Sequence, residues 1–154
     1  DDVINAFEGN ESDPIGALRL IPKKLLKLFV HSYQSWMFNE VLKQYLEGGG
    51  AADTEIPLIG FSTELEGVDP GIAKLVEKVM DEEGIGFRDF IIRQIPDLTV
   101  DGDSRKAFFS VSDLKLDKVE DDDLNEGKKK CVLTFSLQKN SYATVLIDYL
   151  FSKA

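Results

Sequence analysis

The sequence predicts an α+β fold, and two kinds of apolar pattern support that prediction. Apolar residues recur at helical spacing along Lys23–Glu47 and again in the residues that follow Asp69-Pro70. Apolar and polar residues alternate along Ala107–Leu116 and Cys131–Leu137, as they do in half-buried strands. The 154 residues, 43% hydrophobic and 30% charged, suffice for one ordinary domain or two very small ones.

One long helix dominates the first third of the chain. Polar residues and Asp-Pro signals before Pro22 indicate a loop with one short helix, and Pro22 suits the first position of the next helix. The apolar stripe of Lys23–Glu47 covers most of the helix circumference, so we expect a helix that is buried on several sides and ends at Gly48–Gly50. Tyr33 and Trp36 belong to this stripe, which places them in the predicted core.

Shorter elements follow in the middle of the chain. A short strand is expected at Ile56–Gly60, among irregular residues. Asp69 is an N-cap followed by a first-turn proline, and Gly84 is the natural C-cap of the helix between them. A shorter helix or turn is expected at Phe87–Ile92.

The last third of the chain indicates two strands and a closing helix. We expect a bulge near Asp113 in the first of these strands, where the alternation slips. The acidic run 120–126 is expected to form a solvated turn, because it lacks the ligand spacing of a calcium loop. Tyr142–Phe151 is expected to be a helix capped by Asn140 or Ser141, although its β-branched residues also suit a strand.

The composition and the missing motifs exclude several functions. A net charge of −10, from 28 acidic and 18 basic residues, argues against a generic nucleic-acid binder, because phosphate affinity depends on Lys and Arg. Cys131 is the one cysteine, so an internal disulfide framework is excluded and a reducing compartment is expected. His31 and Cys131 do not form a metal-ligand pair, and the sequence contains neither a phosphate-binding glycine motif nor a transmembrane run.

Basic residues are nevertheless concentrated at a few places. Four of them surround the start of the long helix: Arg19, Lys23, Lys24 and Lys27. Arg105 and Lys128–Lys130 lead into strands, and Lys139 precedes the last helix beside Tyr142. Together they would form a basic face with an aromatic platform, a combination that holds single-stranded or flipped bases. Spacing alone leaves open the alternative that these residues are scattered over an acidic surface.

Two segments resemble the TruD family of tRNA pseudouridine synthases. Residues 21–39 are similar to the family's basic and aromatic helix and read Ile-Pro-Lys-Lys-Leu-Leu-Lys-Leu-Phe-Val-His-Ser-Tyr-Gln-Ser-Trp-Met-Phe-Asn. Residues 135–146 are similar to its closing motif and read Phe-Ser-Leu-Gln-Lys-Asn-Ser-Tyr-Ala-Thr-Val-Leu, with Gln and Asn where Pro and Gly are usual. Pro57–Gly60 and Gly102–Arg105 are weaker matches in the expected order, and the archaeal and eukaryotic branch fits best.

The resemblance implies an isomerase that converts uridine to pseudouridine in tRNA, with uridine-13 as the family target and with neither cofactor nor metal. The reaction detaches a uracil, turns it and reattaches it through carbon, so an aromatic side chain must hold the flipped base. Tyr142 matches the family position of that aromatic residue, and Ser141 and Lys139 beside it are the expected substrate-binding residues. The expected RNA-binding residues are Arg19, Lys23, Lys24, Lys27 and Arg105.

The catalytic aspartate is expected outside this chain. In the family it lies in a Gly-x-Lys-Asp-x-x-Ala-x-Thr motif that precedes the matched segments, and Gly86-Phe87-Arg88-Asp89 does not replace it. Since the chain also lacks a starting methionine, we expect it to be the C-terminal portion of the enzyme, with the missing N-terminal half as its partner. Without that half, the long helix would be left half exposed.

This interpretation divides the chain into three parts. Residues 1–50 are assigned to the catalytic domain as a loop and the long helix, and residues 51–130 to a family-specific α+β insertion. Residues 131–154 are assigned to the closing strand and helix of the catalytic domain. The expected location is the cytoplasm, or the nucleus in a eukaryote. The alternative is a non-enzymatic acidic α+β domain that binds other proteins.

Overall fold

The computed structural model describes residues 2–9, 13–50, 54–139 and 141–152. Helices and antiparallel strands occur together in them, which confirms the predicted α+β fold. The chain divides into two compact units, Asp1–Ala107 and Phe108–Ala154, which we call unit 1 and unit 2. Of the helices formed by the described residues, none is long and apolar enough to cross a membrane.

Unit 1 begins with three helices: α1 (Asp2–Gly9), α2 (Pro14–Leu18) and α3 (Lys23–Glu47). Two short helices therefore occupy the stretch for which one was predicted. α2 begins where the Asp13 carboxylate accepts the Gly16 N–H at 2.8 Å. Pro22 is the N-cap of α3 and not its first helical residue, because its ψ of 128° is extended. α3 ends at Gly48, as predicted.

The rest of unit 1 contains a helix, two 3₁₀-helices and two strands: β1 (Glu55–Leu58), α4 (Pro70–Glu83), Phe87–Phe90, Pro96–Leu98 and β2 (Asp103–Lys106). β1 and β2 pair antiparallel, with Leu58 opposite Asp103. Asp69 caps α4, and Gly84 ends it with a φ of 65°, both as predicted. β2 was not predicted, because its Asp-Ser-Arg-Lys sequence has no apolar alternation.

One face of α3 packs into the core of unit 1. The buried cluster consists of Met37, Phe38, Val41, Ile56, Leu58, Ile59, Ile72, Val76, Val79, Met80, Phe90 and Val100. The opposite face of α3 is exposed in this chain, so within the chain the helix is buried on one side and not on several. Trp36 is 41% exposed and Tyr33 stacks on it with ring centroids 5.8 Å apart, so neither lies in the predicted core. The apolar stripe is wider than the surface that the neighbouring elements cover.

Unit 2 contains the remaining strands and the last helix: β3 (Val111–Leu116), β4 (Glu120–Asp121), β5 (Lys129–Lys130), β6 (Leu133–Leu137) and α5 (Ala143–Phe151). β3 pairs antiparallel with β6, and the register shifts between Ser112 and Lys115. Asp113 adopts a φ of 54° there, which confirms the predicted bulge. The closing segment is a helix, as predicted, and begins directly after Tyr142.

The acidic run of unit 2 forms a hairpin between β4 and β5, which confirms the predicted turn. The Lys129 ammonium contacts the Asp121 carboxylate at 2.5 Å. At the tip, the Asp122 carboxylate accepts hydrogen bonds from the Asn125 amide and the Leu124 N–H, and these bonds lower the pKa of Asp122. Internal hydrogen bonds and ion pairs therefore account for the clustering of these carboxylates.

Candidate nucleic-acid interface

Four basic side chains lie around the start of α3 in unit 1: Arg19, Lys23, Lys24 and Lys27, which we call the basic cluster. All four are exposed. Between Asp13 and Glu40 the sequence contains no Asp or Glu, although acidic residues outnumber basic ones in the whole chain. The beginning of α3 is therefore locally positive on a protein of net charge −10.

This charge distribution opposes the helix dipole. The N-terminus of a helix carries partial positive charge and favours acidic side chains, by about 0.3–1 kcal/mol for each charge. α3 has lysines in its first turn, no acidic residue there, and a Pro22 cap that offers no side-chain acceptor. A locally unfavourable arrangement of this kind is typical of a functional site, because folding alone does not select it.

The segment 92–98 is anchored beside the basic cluster. Ile95 and Leu98 form a small buried core with Leu26 of α3. The Arg19 guanidinium donates to the Gln94 carbonyl at 3.0 Å, which adds a polar contact between the two segments. The position of the segment relative to the basic cluster is thus fixed by both apolar and polar contacts.

One carboxylate of this segment lies within the basic cluster. The Asp97 carboxylate pairs with the Lys23 ammonium, and both side chains are more than half exposed. The hydrogen bond and charge of Lys23 lower the pKa of Asp97, and the charge of Lys27 contributes in the same direction. The Asp97 carboxylate therefore lies close to two of the four basic side chains, Lys23 and Lys27.

Arg105, the fifth predicted RNA-binding residue, lies elsewhere in unit 1. Its guanidinium is 5.7 Å from the centroid of the Phe38 ring, a cation–π geometry. Phe38 follows Lys27 by eleven residues in α3, which corresponds to roughly 16 Å along the helix axis. The structure therefore does not place Arg105 within the basic cluster.

The predicted substrate-binding residues lie on one turn of unit 2. The Ser141 N–H donates to the Gln138 carbonyl at 3.2 Å, which closes the turn before α5. Tyr142 is the N-cap of α5 and is 54% exposed, and Lys139 is exposed too. This exposure is greater than that of a tyrosine buried in a core. Ser141 is therefore not the N-cap, contrary to one of the two predicted caps, and Asn140, the other, lies outside the described residues.

Gln34 is a buried side chain whose role the sequence did not reveal. It is 3% exposed, and its Nε2 donates to the carbonyls of Ile59 at 2.8 Å and Asp101 at 2.9 Å. A Cβ on Gly60 would lie 2.2 Å from the Asp101 carbonyl carbon, so only glycine allows the two loops to approach this closely. Gln34 thus joins the motif on α3 to the weaker match Pro57–Gly60 and to Asp101, the residue directly before the other weaker match. One feature of the sequence could have indicated this role. Gln34 lies three residues before Met37 and so on the same helix face, and a buried polar side chain needs hydrogen-bond partners.

The chain thus consists of two α+β units. Unit 1 carries the basic cluster at the start of α3, and unit 2 carries the turn with Ser141 and Tyr142 before α5. The family model of tRNA pseudouridine synthase D (TruD) matches residues 2–56 and 48–148. The chain therefore belongs to the TruD family.

Individual relatives agree with this assignment. The chain is 33% identical to a protein of Methanopyrus kandleri named "Probable tRNA pseudouridine synthase D", over 90% of this chain and 35% of that protein. A protein of the same name from Nanoarchaeum equitans is 34% identical, over 92% of this chain and 37% of its own length. The crystal structure of a tRNA pseudouridine synthase D from Methanosarcina mazei matches with a TM-score of 0.74 and 25% identity, over 96% of this chain and 43% of that one. The chain thus spans less than half the length of these proteins.

Proposed function

We propose that this chain is the C-terminal portion of a tRNA pseudouridine synthase D and contributes RNA binding and base stacking to the isomerisation of uridine-13. The observation that carries the proposal is the basic cluster, which concentrates positive charge at an unfavourable helix end within a TruD motif. Phosphate binding would repay that unfavourable placement, because each neutralised phosphate releases condensed counterions. Arg105 would contact RNA separately from the basic cluster.

In this proposal, Tyr142 stacks on the flipped uracil. The reaction breaks the N1–C1′ bond of the nucleotide, forms the C5–C1′ bond, and moves the C5 proton to N1. The base must therefore be held while it turns, and an exposed aromatic ring at a helix start is suited to that task. The first N–H groups of α5 can bind a uracil carbonyl or a phosphate, and Lys139 beside them can neutralise a phosphate. Ser141 shapes the turn that presents the ring.

The catalytic aspartate and the remainder of the catalytic domain belong, in this proposal, to an N-terminal half that acts as the partner of this chain. Residues 1–50 and 131–154 would complete the catalytic domain with that half, and residues 51–130 would form the insertion. The exposed apolar face of α3, which includes Leu25, Phe29 and Trp36, is the kind of surface that such a half would cover. The protein would act in the cytoplasm, or in the nucleus of a eukaryote.

The proposal is tested by comparing this chain with the product of its complete open reading frame on an unmodified tRNA transcript. The longer protein should form pseudouridine at position 13, detected by carbodiimide labelling and primer extension. The chain alone should form none, because it contains no Gly-x-Lys-Asp motif. Turnover by the chain alone would show that the chemistry is not confined to the other half. An open reading frame that lacks this motif before residue 1 would favour the interaction-domain alternative.

A further inference from the structure

Asp97 is an unusual residue to find in a surface that binds RNA. Its carboxylate pairs with Lys23 of the basic cluster, and Lys27 lies close enough to act on it. A carboxylate at this position forms an ion pair with a lysine that would otherwise be available to a phosphate. It also remains beside any phosphate that takes its place, and like charges repel.

The contacts around Asp97 show that it is held in this position by the fold. It lies in the 3₁₀-helix Pro96–Leu98, between the buried side chains of Ile95 and Leu98. The Thr99 hydroxyl accepts the Ile92 N–H at 3.1 Å, which links the two ends of the segment. The carboxylate is therefore presented to the basic cluster by a buried anchor and does not depend on the ion pair for its position.

We propose that Asp97 is a built-in competitor for RNA phosphate and sets the affinity of the basic cluster. This inference rests on the proposed function of the basic cluster. An exposed ion pair contributes little to stability, so Lys23 can exchange its carboxylate for a phosphate at small cost. Asp97 weakens phosphate binding to every polyanion alike. Contacts that recognise the RNA nucleobase therefore contribute a larger share of the binding free energy. Asp97 would thus favour specific over non-specific RNA binding.

The decisive variant is Asp97→Asn in this 154-residue chain, tested by fluorescence-polarisation titration of a labelled, unmodified tRNA transcript at several NaCl concentrations. Removing one charge about 4 Å from a phosphate or a lysine should tighten binding about fivefold. The slope of log K against log salt should steepen by about 0.9, because Lys23 becomes free to neutralise one more phosphate. The control Asp81→Asn removes the same charge from an exposed position on α4 and should change affinity less than about twofold.

A second variant tests the coupling between the two partners. In the wild-type chain Lys23 is paired with Asp97, so Lys23→Gln should weaken tRNA binding less than about twofold. In the Asp97→Asn background the same substitution should weaken tRNA binding about fivefold. Equal effects in the two backgrounds would overturn the proposal, as would an Asp97→Asn variant that behaves like Asp81→Asn.

Lys24→Ala distinguishes this failure from failure of the proposed function. Lys24 belongs to the basic cluster, and its loss should weaken RNA binding and flatten the salt slope whatever Asp97 does. If Lys24→Ala weakens binding while Asp97→Asn has no effect, only the competitor role fails. If neither Lys24→Ala nor Lys23→Gln changes binding in either background, the basic cluster does not bind RNA and both proposals fail.

Discussion

The two units use their TruD motifs in different ways. In unit 1 the motif helix contributes Met37 and Phe38 to a core of twelve buried apolar side chains, and it buries the Gln34 amide as well. Among the described large apolar residues of unit 2, Leu146 alone is buried, and the motif residue Tyr142 is exposed. A two-stranded sheet such as β3–β6 gains little stability by itself, so packing does not explain the side chains of this motif. The same family resemblance therefore marks mainly structural residues in unit 1, apart from the basic cluster, and candidate substrate contacts in unit 2.

The largest expected effect compares two neighbours on α3. Met37→Ala should lower the free energy of unfolding by about 2–5 kcal/mol, because it leaves a cavity in the core of unit 1. Trp36→Ala should lower it by only about 1 kcal/mol, since the ring is partly exposed and loses mainly its stack with Tyr33. Urea denaturation of the two variants measures both values. Similar losses for the two variants would show that α3 does not have one buried and one exposed face.

Gln34 gives the next largest expected effect. Gln34→Ala should cost ~1–3 kcal/mol of unfolding free energy, because the carbonyls of Ile59 and Asp101 lose the buried amide that donates to them. Hydrogen exchange should also rise in the loops on either side of β1 and β2. Gln44→Ala is the matched control: its side chain accepts one exposed bond from Lys78, and its loss should cost less than about 0.5 kcal/mol. If the two glutamine variants are equally stable, Gln34 does not hold the loops together.

Tyr142 is the corresponding test in unit 2, where the expected change is in activity and not in stability. In the longer protein, Tyr142→Ala should lose roughly 1–3 kcal/mol of base-holding energy, which appears as a loss of turnover on tRNA of about fivefold to 150-fold. Tyr142→Phe should keep most of the activity because it keeps the ring. The melting temperature of both variants should stay close to that of the wild type, since the side chain is exposed. Full turnover by a folded Tyr142→Ala variant would remove the stacking role.

Local signals in the sequence predicted much of this fold. The Asp69 cap, the Gly84 stop and the Asp113 bulge each depend on a few neighbouring residues, and the structure confirms all three. β2 could not be found this way, because its polar residues form a strand only by pairing with β1, which lies almost fifty residues earlier.

The same distinction holds for the candidate site. The clustering of Lys23, Lys24 and Lys27 follows from helical spacing, so it was visible in the sequence. The contact of Asp97 with this cluster depends on a partner 74 residues away, and the exposure of Trp36 depends on which elements pack beside α3. Neither follows from a local pattern, so the sequence alone did not show either one.

The smallest expected effect is a pH dependence within unit 1. The Tyr33 hydroxyl donates to the Glu83 carboxylate of α4 at 2.8 Å. Burial raises the pKa of Tyr33 from 10.0 to about 12, and the hydrogen bond and charge of Glu83 contribute. Because the folded chain binds this proton more tightly than the unfolded chain, the stabilisation is complete below pH 10 and is lost as the pH rises towards 12.

Tyr33→Phe provides the control for this pH dependence. About a third of the Tyr33 side chain is exposed, so solvent screening reduces the expected loss between pH 9 and pH 11 to about 1 kcal/mol. Lysines also titrate in this range, but they are present in both proteins, so the difference between wild type and Tyr33→Phe isolates the phenol. Urea denaturation at the two pH values should show the wild type losing more stability than the variant. Equal losses would mean that the Tyr33–Glu83 hydrogen bond does not join α3 to α4 in solution. The Met37 and Trp36 variants would then be the remaining test of the difference between the two faces of α3.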